Sequence, residues 1–158
     1  GININPIRFF NVYGPGQRFE WVMSIFIQKV LRNEAPVIFG DGSQVRCFTF
    51  VEDIVKGMET VMEKGKKGEA YNIANDQPIS MKELAELIIK ISGKDLKPKV
   101  AGFGESTRTK EREIMKRIPS IEKLKGLGWE PKVKIEEGVK RAHDWYKENM
   151  GKEEMFFE

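Results

Sequence analysis

The sequence predicts an α/β or α+β fold, with short strands separated by helices, rather than a helical bundle. Three observations carry this. Runs of β-branched and aromatic residues, such as Ile7 to Val12 and Val45 to Val51, are short and end at turn residues. The segments between them set apolar residues at helical spacing. Glycine turns, Gly14-Pro15-Gly16 and Gly40-Asp41-Gly42, separate the two kinds of segment.

Residues 2–13 read as a strand, strongest over Ile7 to Val12, and Gly14-Pro15-Gly16 ends it. Trp21, Val22, Ile25, Phe26, Val30 and Leu31 fall at helical spacing, which predicts a helix over 20–33. Pro36 to Phe39 is a short buried strand, and after the Gly40 turn Val45 to Val51 is another. Asp53 to Glu63 is an amphipathic helix carrying Ile54, Val55, Met58, Val61 and Met62. Ala70 to Ala74 is a strand. Ser80-Met81-Lys82-Glu83 has the form of a capping box, and the helix it opens stops near Gly93. Lys97 to Phe103 is a short strand. Residues 104–118 are charged and aperiodic and predict a loop. A short helix from Pro119-Ser120 to Leu127, a turn at Gly128-Trp129-Glu130-Pro131 and a last helix over Ile135 to Asn149 complete the chain. The expected organisation is one domain over 1–150 and a frayed tail over 151–158.

The totals narrow the function classes. The 158 residues are 40% hydrophobic with ten Phe, three Trp and three Tyr, enough for a real core. Lys and Arg number 27 against 24 Asp and Glu, and the two signs are interleaved, as in Lys110-Glu111-Arg112-Glu113. A nucleic-acid face clusters one sign, so nucleic acid is not an expected partner. No apolar stretch approaches the roughly 20 residues that span a bilayer, so no membrane partner is expected. A single cysteine, Cys47, forbids an internal disulfide and fits a reducing compartment; a cytoplasmic location is expected. The chain opens on Gly1 and the strand-like Ile2-Asn3-Ile4, as a cut or processed piece would.

Two segments carry candidate chemistry. Arg8 to Gln17 and Phe39 to Arg46 each empty an apolar run into a glycine turn with one polar group beside it, Asn11 or Arg46. Backbone N–H groups freed at such a turn, next to a guanidinium, suit a diphosphate. Asn11 either holds its own turn or donates to a ligand phosphate or sugar hydroxyl. Arg46 sits in an apolar strand and needs a partner: an ion pair with Glu52 or Asp53, or a bidentate grip on phosphate. Val37 and Phe39 either pack in the core or form a slot that stacks a pyrimidine. Arg108 and Arg112 are either solvated or part of a loop that closes over an anion. His143, beside Asp144 and near Lys140 and Lys147, reads as a surface residue. Cys47, Trp129 and Trp145 read as core.

Several absences matter as much. The sequence contains no G-x-G-x-x-G and no Walker loop. It contains no Tyr-x-x-x-Lys, because Tyr13, Tyr71 and Tyr146 are followed four residues on by Gln17, Asn75 and Met150. One His and one Cys cannot build a zinc site, so no metal is expected.

Ile7-Arg8-Phe9-Phe10-Asn11-Val12-Tyr13-Gly14-Pro15 resembles the segment joining the two lobes of NAD-dependent nucleotide-sugar epimerases and dehydratases. These are extended short-chain dehydrogenase/reductases, a family that includes UDP-glucose 4-epimerases and dTDP-glucose 4,6-dehydratases. Val37-Ile38-Phe39-Gly40-Asp41-Gly42, Arg46, Phe50-Val51-Glu52-Asp53-Ile54, Tyr71-Asn72-Ile73 and Leu127-Gly128-Trp129-Glu130-Pro131 resemble the blocks that follow, in order. The chain departs from the family pattern at Cys47, where Asp is usual, at Met23-Ser24, where Pro is common, and at Ile118, where Asp usually precedes the next helix.

The resemblance implies a small mixed-sheet substrate lobe, the carboxyl-terminal part of a Rossmann-type enzyme. It implies that the amino-terminal Rossmann half, on the same or a separate chain, holds NAD and carries the catalytic Tyr and Lys. By position it assigns Asn11 and Arg46 to the diphosphate of a UDP- or dTDP-hexose, Val37 and Phe39 to the base, and Arg108 to a second phosphate contact, with Arg112 as its alternate. It assigns no catalytic residue and no bound NAD to this chain, which is expected to be inactive alone. The alternatives are a stand-alone binding module for nucleotide-diphosphate sugars and a subunit that completes a separate Rossmann chain.

Overall fold

The computed structural model describes residues 2, 4–102 and 114–151. Its elements are β1 (Ile7–Phe9), β2 (Val12–Tyr13), α1 (Val22–Leu31), β3 (Val37–Phe39), β4 (Val45–Cys47), β5 (Thr49–Phe50), α2 (Val51–Lys64), β6 (Tyr71–Ile73), β7 (Pro78–Ser80), α3 (Met81–Ser92), β8 (Lys99–Ala101), β9 (Lys116–Arg117), α4 (Glu122–Lys125) and α5 (Ile135–Asn149). The strands pair as β1 with β6, β2 with β5, β3 with β8, and as a three-stranded sheet ordered β7-β4-β9. All pairings are parallel except β4 with β7. Parallel partners need long crossovers, and α2 lies between β1 and β6 in this way. The fold is the expected mixed α/β arrangement.

The strand expected over Ile7 to Val12 is interrupted at Asn11, whose φ of 39° is left-handed. Asn tolerates this region better than most residues, because its short amide bonds locally. The strand expected over Val45 to Val51 likewise divides into β4 and β5, and Val51 joins the helix. Phe50, in extended backbone, caps α2 without a side-chain hydrogen bond, and Glu52 and Asp53 stand in the first turn, where the helix dipole favours negative charge. The capping box at α3 is present in both directions: Glu83 N–H donates to Ser80 Oγ at 3.1 Å, and Ser80 N–H donates to Glu83 Oε2 at 2.8 Å. Gly93 closes α3 at φ 68°, a conformation that glycine adopts without steric cost.

Two apolar clusters hold the chain together. The larger packs α1, α3 and α5 around Tyr13, Phe48 and Phe50, and includes Phe26, Ile27, Leu84, Ile88, Val139 and Tyr146. The smaller joins Ile54 and Val61 of α2 to Tyr71, Ile73, Ile121, Leu124 and Trp129. Gly57 lets α2 lie close on β6, since a Cβ there would stand 2.6 Å from Ile73 Cγ2.

Four expectations are corrected. The segment 104–118 is not loop at its described end, because Lys116–Arg117 forms β9 against β4. Pro78–Ser80, where no strand is expected, forms β7. Trp21 caps α1 from outside the core and is 60% exposed, so the helix begins at Val22. His143 is buried, 7% exposed, on the α5 stripe shared with Val139, Ala142 and Tyr146. The expected tail, beyond Gly151, lies outside the described residues.

Candidate functional site

The first candidate segment is held by its own polar groups. The left-handed turn at Asn11 directs its carboxamide to the next strand, where Nδ2 donates to the Cys47 carbonyl at 3.0 Å. The Asn11 carbonyl accepts from Thr49 N–H at 3.1 Å. Asn11 is therefore stitched by side chain and main chain to the strand of Arg46. Beyond it, Gln17 Nε2 donates to the Val12 carbonyl at 2.6 Å, and the Tyr146 hydroxyl donates to the Gln17 carbonyl at 2.5 Å. The glycine turn is thus clasped to α5. Burial pushes the Tyr146 hydroxyl up to about 12.

The second segment is a compact turn between β3 and β4. Asp41 Oδ1 accepts from the Ser43 N–H at 2.9 Å and from its hydroxyl at 2.6 Å. Gly42 has φ 75°, and a Cβ there would stand 2.9 Å from Ile38 Cγ2, so both backbone and space demand glycine. Gln44 Nε2 donates to the Phe39 carbonyl at 2.9 Å, and Gln44 Oε1 is buried without a hydrogen-bond partner among the described residues. The first turn of α3 docks on this loop through Met81 N–H to the Gln44 carbonyl and Lys82 N–H to the Gly42 carbonyl. Val37 and Phe39 are half-buried on one side of β3, while Ile38 enters the core from the other.

Arg46 lies in the middle of β4, half-buried, with Nη1 donating to the Val45 carbonyl at 2.9 Å. The two carboxylates considered as its partners are engaged elsewhere. Glu52 pairs with Arg141, whose guanidinium also lies 4.4 Å over the Phe50 ring. Asp53 accepts backbone N–H bonds from Lys132 at 3.1 Å and Val133 at 3.0 Å. Asn11 and Arg46 therefore occupy adjoining segments: the acceptor of Asn11 is the carbonyl of the residue after Arg46. Val37 and Phe39 lie on the preceding strand β3, across the 40–44 turn in sequence. Arg108 and Arg112 lie outside the described residues.

Other candidate chemistry falls away. Cys47 is buried, and burial, with the charge of Asp76 second, pushes its thiol up. That is the opposite of what a nucleophile needs. Among the described residues no group of three His, Cys, Asp or Glu could hold a metal ion, and no helix is long and apolar enough to cross a membrane. None of the described glycine turns has the G-x-G-x-x-G spacing after a strand, and the buried Tyr13, pushed well above the usual phenol range by burial and then by Asp53, is followed four residues on by Gln17.

The fold, short and mostly parallel strands joined by helices, is the fold of part of an extended short-chain dehydrogenase/reductase. The family model described as GDP-mannose 4,6 dehydratase matches residues 1–142. The chain is 38% identical over 143 residues to a dTDP-D-glucose 4,6-dehydratase of Homo sapiens, covering 90% of this chain and 41% of that protein. It is 34% identical over 155 residues to a UDP-glucuronate 4-epimerase of Thermodesulfobacterium geofontis, covering 95% and 45%. Among solved structures, a Thermotoga maritima UDP-glucose 4-epimerase with UDP-glucose superposes with a TM-score of 0.83 at 32% identity, covering 94% of this chain and 47% of that one. A Bacillus cereus UDP-glucuronic acid 4-epimerase variant, in complex with a fluorinated UDP-sugar and NAD, gives 0.83 at 30% identity, covering 93% and 46%. This chain belongs to the NAD-dependent nucleotide-sugar epimerase/dehydratase family. It spans less than half the length of these relatives.

Proposed function

We propose that this chain is the substrate-binding part of a nucleotide-sugar epimerase or dehydratase, and that Arg46 grips the diphosphate of a UDP- or dTDP-hexose. The observation that carries the reading is the seat of Arg46: a half-buried guanidinium in mid-strand, one residue from the carbonyl that Asn11 holds. A guanidinium offers two parallel donors that match phosphoryl oxygens. In this reading Asn11 fixes the strand that carries Arg46, and Val37 and Phe39 flank the base. Arg108, or Arg112 in its place, adds a further phosphate contact.

An amino-terminal Rossmann half holding NAD and the catalytic Tyr and Lys completes the reading; NAD bound there supplies hydride exchange at the sugar. The surface supports such a partner. Val51, Val55, Met58 and Met62 recur at i, i+4, i+7 and i+11 along α2, and all are exposed, Met62 by 82%. They form a second apolar stripe beside the buried Ile54, Gly57 and Val61. A stripe of this kind marks a surface that another body covers.

Calorimetry with UDP and dTDP, against uridine as a control lacking phosphate, tests the binding. Heat with the diphosphates and none with uridine is expected. Incubation of the purified chain with UDP-glucose and NAD is expected to give no epimerised or dehydrated product. Turnover by the chain alone would contradict the division of labour, and equal heats for UDP and uridine would contradict the site.

A further inference from the structure

Thr49 stands between the core residues Phe48 and Phe50 and is 0% exposed, a position where a hydroxyl is costly unless it is hydrogen-bonded. Its hydroxyl is engaged in both senses. Thr49 Oγ1 donates to the Phe10 carbonyl at 3.1 Å and accepts from the Asn75 N–H at 2.8 Å. Its main-chain N–H donates to the Asn11 carbonyl at 3.1 Å. One residue thus holds two consecutive carbonyls, and they belong to the two peptide groups that flank the Asn11 Cα. The relative orientation of those two planes is what the backbone angles of Asn11 describe.

The same hydroxyl joins two strand ends. Phe10 follows β1, and Asn75 lies just beyond β6, its parallel partner. Asn75 is itself buried, and its Oδ1 accepts from the Gln77 N–H at 2.7 Å. In parallel α/β sheets ligands bind beyond the carboxyl ends of the strands, which is where these bonds lie. A left-handed residue other than glycine persists only where its surroundings over-determine it. At Asn11, with φ 39°, Thr49 supplies two of the bonds that do so, and the third runs from the Asn11 carboxamide to the Cys47 carbonyl. A continuous series of hydrogen bonds therefore leads from Asn75 through Thr49 and Asn11 to the peptide after Arg46.

We infer that Thr49 is a positioning residue of the candidate site: its hydroxyl sets the left-handed turn at Asn11 and, through it, the seat of Arg46. The inference rests on the reading of Arg46 given above. Being fully buried, Thr49 meets no ligand itself and acts through the Asn11 backbone. Without the hydroxyl, the Phe10 carbonyl and the buried Asn75 N–H lose their partner together, and the ends of β1 and β6 are no longer tied across β5. A binding side chain is placed only as well as the bonds that support it.

The test titrates UDP calorimetrically into the unaltered chain, Thr49→Val, Thr49→Ser and Arg46→Gln, at a temperature where near-ultraviolet circular dichroism shows each protein folded. Thr49→Val is expected to bind UDP about tenfold more weakly, the worth of one misplaced hydrogen bond to a charged group. Thr49→Ser keeps the hydroxyl and is expected to bind as the unaltered chain does. In NMR spectra the side-chain amide signals of Asn11 move in Thr49→Val and stay in place in Thr49→Ser. Should Thr49→Val not fold, hydrogen exchange in the unaltered chain decides: the Asn75 amide exchanges more slowly with UDP bound, and an unchanged rate overturns the inference. If Thr49→Val melts lower yet binds UDP like the unaltered chain, while Arg46→Gln binds it weakly, only stability was lost. That result overturns the positioning role and leaves the Arg46 reading standing. Equal weakening in Thr49→Ser and Thr49→Val assigns the effect to the methyl group and also overturns it. UDP binding that neither Thr49→Val nor Arg46→Gln alters, or none by the unaltered chain, overturns both.

Discussion

The carboxamide of Asn11 donates to the carbonyl of Cys47 at 3.0 Å, one peptide beyond Arg46. The bond joins the left-handed break between β1 and β2 to the strand that presents the guanidinium. It couples a backbone feature to the candidate site. Asn11→Gly keeps the left-handed backbone and loses the bond; Asn11→Ala loses both. Asn11→Gly is expected to cost about 1 kcal/mol, the usual worth of such a bond, and Asn11→Ala about 1–2 kcal/mol more for the strained φ. Urea denaturation of the two variants checks the order, and equal stabilities would show that φ carries no strain.

Asp53 has both carboxylate oxygens taken by backbone N–H groups, those of Lys132 and Val133, while its own carbonyl accepts from the Trp129 indole at 3.2 Å. It ties the first turn of α2 to the segment that leads into α5. Asp53→Asn leaves one oxygen and turns an N–H toward a donor. A loss of roughly 2–3 kcal/mol is expected, the range for a buried hydrogen bond to a charged group together with one unsatisfied donor. Chemical denaturation measures it, and a change within experimental error would remove Asp53 from this structural role.

Gly138 lies in α5 where the helix crosses Tyr13 and Phe50. A Cβ there would meet the Tyr13 hydroxyl directly, with Tyr13 Cζ at 2.8 Å and the Phe50 ring at 3.0 Å. Alanine at an ordinary helix position would stabilise by about 1 kcal/mol over glycine. Here overpacking, typically about 1–3 kcal/mol, opposes that gain, so Gly138→Ala is expected to be neutral to destabilising. Adding Tyr13→Phe removes the nearest atom and is expected to recover part of the loss. A stabilised single variant, measured by thermal melting, would show that the crossing is looser than described.

Alkaline pH tests the two buried phenols. Burial raises Tyr13, with Asp53 adding to it, and raises Tyr146 to about 12. Both are acids whose folded values exceed the unfolded value of about 10. The unfolded state therefore releases their protons first. Their contribution is fully present below pH 10 and is lost as pH rises through 10 toward 12. Unfolding free energy is expected to fall across that window, and Tyr146→Phe to flatten the fall. An unchanged slope in Tyr146→Phe would contradict the burial of its hydroxyl.

Much of this arrangement was legible in the residues. The Ser80–Glu83 box, the stripe of α5 and the glycine stop at Gly93 are local signals, and each element formed where its signal stood. The elements that were not legible owe their existence to partners. Lys116–Arg117 and Pro78–Ser80 are two and three residues long and become strands only because β4 runs between them. His143 shows a different failure. Its spacing from Val139, Ala142 and Tyr146 placed it on the buried stripe, but its charged neighbours in sequence suggested a surface. The period was the better guide. In the candidate site, Asn11 and Arg46 could be named from their turns, whereas the strand Lys116–Arg117 beside Arg46 follows only from a register between segments some 70 residues apart in sequence.

Titration of UDP-glucose into the unaltered chain and into Arg46→Ala measures the central claim most directly. Loss of a guanidinium that donates to a charged phosphate is worth about 1.5–3 kcal/mol, so the affinity is expected to fall roughly tenfold to a hundredfold. Equal affinity in the two proteins, or no binding by the unaltered chain, would contradict the account.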